Sequence, residues 1–79
     1  MTNYIKFENA LAATYHDLFK NDPEYAYSAT KTTPEALALK ITAGLSTNTA
    51  NKDGNGVKRT CKALGIPHTY KAIGAFLKE

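Results

Sequence analysis

Tyr4, Phe7, Leu11, Tyr15 and Leu18 follow one another at intervals of 3, 4, 4 and 3 positions. At 3.6 residues per turn those intervals return to the same side of an α-helix, so the first segment must fold as a helix with one apolar face. Ile5, Ala12 and Phe19 lie beside the stripe and widen it. Thr2 or Asn3 can cap the start by accepting a bond from an orphan backbone N–H. Pro23 disfavours the α conformation at Asp22, so the helix is expected to end near Asn21.

The remainder of the chain is punctuated in the same language. Asp22-Pro23-Glu24 reads as a helix restart, and residues 23–29 as either a short helix or an ordered loop. Thr33-Pro34-Glu35 is a cleaner start, with Thr as N-cap and Pro at the first helical position. The helix it opens carries Leu37, Ile41 and Leu45 as its expected inner stripe. Leu39 points about 200° away from Leu37, so either this helix is covered on two sides or Leu39 faces a partner. Residues 46–56 are polar, glycine-bearing and aperiodic, which predicts a loop whose end caps the next helix through Asp53 or Asn55. Val57, Cys61 and Leu64 line one face of that helix, with Lys58, Arg59 and Lys62 turned outward. Gly65-Ile66-Pro67 is a strong stop, because Gly supplies the left-handed residue, Ile a hydrophobic contact and Pro a block to continuation. A last helix carries Tyr70, Ile73 and Phe76/Leu77. No segment alternates at period 2. The expectation is an all-α fold: one domain over residues 1–79, a bundle of four helices, or five if 23–29 is helical.

Size and composition then restrict the class of protein. A chain of 79 residues with 22% charged and 10% aromatic side chains has room for one small core. The single cysteine, Cys61, allows no internal disulfide, which favours a reducing cytoplasmic setting. The first residues lack the basic and apolar regions of a signal peptide, no apolar run approaches the ~20 residues of a membrane span, and the last residues match no lipidation signal. A soluble protein without a membrane partner is expected. Residues 1–51 hold four lysines against five acids, whereas residues 52–79 hold six basic residues against two acids. That asymmetry suits either a half that faces a polyanion or a surface charged for solubility.

Residues 57–76 carry the most specific pattern. A helix with small residues at Cys61 and Ala63 ends in Leu64-Gly65-Ile66, a tight turn follows, and His68-Thr69-Tyr70-Lys71 opens a second helix. This stretch resembles the helix-turn-helix of DNA-binding proteins, with Gly65 to Tyr70 spanning five positions where the usual motif counts six. The resemblance implies that His68, Thr69 and Lys71 sit at the major groove while Lys58, Arg59 and Lys62 meet phosphates. An ordinary corner between two helices uses the same Leu-Gly-Ile punctuation.

Other constellations are weaker. Asn51-Lys-Asp53-Gly-Asn55-Gly56 has the look of a calcium loop, but position 1 is Asn and position 12 is Lys62, which would repel the ion. Cys61 and His68 are the one Cys–His pair available as nucleophile and base, and Cys61 falls on the inward stripe, where free cysteine behaves as a small hydrophobe. His16 and Asp17 are adjacent on a helix and point about 100° apart. One Cys and two His fall short of a structural zinc set. No enzyme, metal or cofactor is expected. Tyr25 and Tyr27, with Asp22 and Glu24 beside them, form either an acidic, aromatic patch for a basic protein or rings covering the bundle edge.

The expected function is that of a small non-enzymatic nucleic-acid-binding module, such as a phage or mobile-element regulator working through its basic C-terminal helix pair. The alternative is a protein-binding inhibitor or adaptor of phage type, for example a blocker of a host defence complex, acting through Tyr25 and Tyr27 or through the basic face. The apolar arc of the first helix is wide enough for a homodimer contact, and equally for burial within one chain.

Overall fold

Capping chemistry sets where the helices begin and end. The structure, a computed structural model, describes residues 2–21 and 33–79. Those residues form four α-helices and no strand: α1 (Asn3–Asn21), α2 (Pro34–Ser46), α3 (Asn55–Leu64) and α4 (Tyr70–Leu77). Residues 23–29 lie outside the described part. At the start of α1 the Thr2 hydroxyl accepts from the Ile5 amide at 3.3 Å. At the start of α2 the Thr33 hydroxyl accepts from the Ala36 amide at 3.1 Å, with Pro34 and Glu35 in the first turn. Each satisfies one amide that the helix itself leaves without a carbonyl.

The stop after α3 also takes the expected form. Gly65 has φ +72°, and its amide reaches the Lys62 carbonyl at 3.3 Å while the Ile66 amide reaches that of Cys61 at 3.0 Å. This is the Schellman arrangement, and glycine occupies the left-handed position without the steric cost a Cβ would add. Ile66 packs back against the core.

α1 is the element around which the others assemble. It packs against α2, α3 and α4; α4 lies against α2 as much as against α1, while α3 rests on α1 and makes little contact with α4. Phe7, Leu11, Tyr15 and Leu18 are buried, joined in the core by Leu45, Val57, Cys61, Ile73 and Leu77. The Phe7 and Phe76 rings stand 6.3 Å apart and tilted, tying α4 to the start of α1. The arc of α1 weighed above as a dimer face is therefore used within the chain; only Ile5, at its edge, is exposed.

Four expectations need correction. The buried face of α2 is Ala38, Thr42 and Leu45, with Leu37 and Ile41 on its flanks, because small side chains let α2 come close to α1 over the largest helix contact in the fold. Leu39 is 56% exposed, so no described element covers its side of α2. Ala63 is exposed rather than turned toward a neighbour, and the small inward residues of α3 are Gly56, Thr60 and Cys61. The N-cap of α3 is Gly54, without a side-chain bond, because Asp53 directs its own amide to Asn51 Oδ1 at 2.8 Å in a turn.

Two close contacts give testable consequences. A Cβ on Gly56 would fall 2.4 Å from Cε1 of the buried Tyr15 ring. Gly56→Ala must displace that ring and is expected to lower stability by about 1–3 kcal/mol, as overpacking does. Thr42 has the opposite problem: its buried hydroxyl has no hydrogen-bond partner among the described residues. Thr42→Val keeps the shape, removes the unpaired group and is expected to raise stability by about 1 kcal/mol. Urea midpoints of the two variants against the parent check both signs.

Candidate nucleic-acid interface

α3 separates its polar and apolar sides more sharply than any other described helix. Gly56, Val57, Thr60 and Cys61 are buried, and the side facing away from them carries Lys58, Arg59 and Lys62 in solvent. Residues four apart on a helix are neighbours, so Lys58 and Lys62 share a row with Arg59 beside it. None of the three is ion-paired to another described residue. The inner side is tied down through Thr60, whose hydroxyl lies 2.7 Å from the Gly56 carbonyl and 3.2 Å from the Thr14 hydroxyl of α1.

One acid tempers the start of this face. Asp53 is exposed, and Lys52 Nζ donates to its Oδ1 at 3.0 Å. That bond, with the charges of Lys52, His68 and Lys58, holds the Asp53 carboxyl below the usual range. Asp53 thus stands between the cations of the loop and those of α3.

The residues placed by resemblance at the head of a recognition helix behave differently from one another. α4 begins at Tyr70, so His68 lies in the turn before it rather than on the helix. The His68 Nε2 is hydrogen-bonded to the Lys52 carbonyl, which can only accept, so this nitrogen carries the proton. Thr69 is the N-cap of α4, its hydroxyl accepting from the Ala72 amide at 3.1 Å. The Tyr70 hydroxyl donates to the Ala50 carbonyl at 2.9 Å, and Lys52 Nζ stands 5.6 Å over the Tyr70 ring. Together His68 and Tyr70 fasten the 49–53 loop onto the start of α4. Lys71 is exposed and without an ion pair among the described residues. Of six residues expected at the interface, Lys58, Arg59, Lys62 and Lys71 remain available, while His68 and Thr69 hold structure.

Sequence reasoning passed over a groove of about 460 Å³ between α4 and the turn after α2, lined by Ser46, Asn48, Lys71, Gly74, Ala75 and Lys78 among others. Its signal was the seven-residue interval from Lys71 to Lys78 with Gly-Ala between them. Tyr25 and Tyr27 lie outside the described residues. Cys61 is buried, and desolvation pushes its thiol above the usual range, which keeps it protonated and unreactive. The described residues contain no group of three or more His, Cys, Asp or Glu able to hold a metal ion, and none of their helices is long and apolar enough to cross a membrane.

No family model, curated protein or solved structure matches the chain.

The loop clasp and the Asp53 charge can each be measured. Tyr70→Phe removes one hydrogen bond and is expected to cost about 1 kcal/mol. Amide exchange should quicken around residues 49–53 while the amides of α1 keep their protection. In a carboxyl NMR titration Asp53 should titrate below the 3.8 of an ordinary aspartate. Lys52→Ala should move it back upward. Because the folded value is the lower one, the Asp53 contribution is present above the unfolded pKa and fades as pH falls through the folded one.

Proposed function

We propose that this protein is a non-enzymatic nucleic-acid-binding module that grips the phosphate backbone of DNA through α3. The observation that carries the reading is the free row of Lys58, Arg59 and Lys62 on the outer side of a helix whose inner side is fully engaged. Cations arranged this way neutralise phosphates and release the counterions condensed on them, which is the sequence-independent part of DNA binding. The tight Gly65 turn supports a helix-turn-helix-like presentation of the C-terminal pair. With His68 and Thr69 engaged in the fold, the pair offers cations rather than hydrogen-bonding side chains, so backbone contact outweighs base reading. A regulator or accessory protein that acts on DNA by local concentration fits such a surface.

The test is an NMR titration of labelled protein with a short random-sequence duplex at about 50 and then 200 mM salt. Binding of ~10⁻⁴–10⁻⁶ M that weakens with salt is expected, with shifts at α3 and at Lys71. Replacing Lys58, Arg59 and Lys62 together by Ala should reduce the slope of log K against log salt by roughly three, about one per phosphate contact. A duplex that moves no resonance at either salt would overturn the reading.

A further inference from the structure

Gly74 sits in the interior of α4, where glycine is the poorest helix former after proline. Gly65 takes a positive φ, Gly56 lies under the Tyr15 ring and Gly44 against Ala50, while Gly54, which has open space around it, stands at the N-cap of α3 outside any helix. Gly74 does none of these. Its φ is ordinary, and a Cβ built on it would meet nothing within 4 Å. Nothing described within the protein explains the missing side chain, and the bare backbone faces open space. It lies on the groove of about 460 Å³ described above, with Ala75 beside it. Lys71 stands one turn before it and Lys78 one turn after, both exposed and neither paired to another described residue. The far wall is Ser46 and Asn48, and no carboxylate lines the groove. Ser46 already donates its hydroxyl proton to the Ala43 carbonyl, so what the wall still offers as donor is the Asn48 amide.

We propose that this groove seats one strand of a DNA duplex by its phosphodiester backbone, with Lys71 and Lys78 on phosphates and the bare helix at Gly74 as the floor against which the strand packs. The inference rests on the nucleic-acid reading of α3 and adds a second contact to it. Two lysines seven residues apart on a helix are separated by about 10 Å along its axis, about three nucleotide steps of one strand at roughly 3.4 Å each. Glycine at a helix position crossed by a ligand backbone is the arrangement in which close approach offsets its conformational cost.

Two variants test the groove, with a fluorescein-labelled random duplex and the full chain. Gly74→Ala is expected to raise the melting temperature by a few degrees, since Ala favours helix and meets no neighbour, and to weaken DNA binding at least threefold. Opposite signs in stability and affinity are what a purely structural glycine would not produce. Lys71→Ala with Lys78→Ala, both at exposed positions, should lower the salt slope by about two. The groove inference falls alone if both variants bind as the parent does while the Lys58, Arg59 and Lys62 triple variant loses affinity. If the parent itself shows no salt-sensitive binding, the α3 reading falls and this one with it.

Discussion

The contact on which the structure depends is that between α1 and everything else. Its buried row of Phe7, Leu11, Tyr15 and Leu18 is the shared surface against which α2, α3 and α4 are laid. A chain of 79 residues cannot build several independent cores, so one long helix serving three shorter ones is an economical solution. Consequences follow for each neighbour. α2 buries Ala38, Thr42 and Leu45, and α3 buries Gly56, Val57, Thr60 and Cys61, so apart from Leu45 both present mostly small side chains to a row of large ones. The large residues of α1 supply the volume, and the smaller helices supply the fit.

That division explains what could be read from the sequence and what could not. The start of α1, the start of α2 and the stop after α3 were legible, because Thr2, Thr33-Pro34-Glu35 and Leu64-Gly65-Ile66-Pro67 are local chemistry with local consequences. The face of α2 was not. Large apolar residues at Leu37, Ile41 and Leu45 outweigh Ala38 and Thr42 in any reading of periodicity, yet close approach to α1 rewards the smaller pair. The cap of α3 escaped for a related reason: Asp53 and Asn55 both look like caps, but the turn in which the Asp53 amide donates to Asn51 Oδ1 leaves Gly54 at the junction. His68 could not have been placed, since its partner is a backbone carbonyl sixteen positions away, brought there by the folding of the loop.

The outer surface follows from the inner one. α3 needs only a narrow strip of its circumference to hold its place, which leaves Lys58, Arg59 and Lys62 free of structural duty. At the start of α4 the reverse holds: Thr69 caps, Tyr70 reaches the Ala50 carbonyl and His68 the Lys52 carbonyl, so the polar groups that resemble a recognition surface are internal fasteners. The short polar groups at the turn thus have partners within the chain, whereas the lysines and arginine of α3, long flexible cations on solvated stems, have none among the described residues.

The same partition limits what kind of binding such a surface can support. Specific base reading needs short, rigid side chains held at fixed geometry and left unpaired in the free protein. In this C-terminal pair the short polar side chains at the turn are the ones that close the structure. What remains are cations on flexible stems, a chemistry suited to phosphates whatever the sequence between them. Under the proposed DNA-binding reading, selectivity would come from the shape and deformability of the duplex rather than from base edges, because those are properties a row of backbone contacts can feel. The open backbone at Gly74 fits the same proposal: it adds no hydrogen bond, only open space.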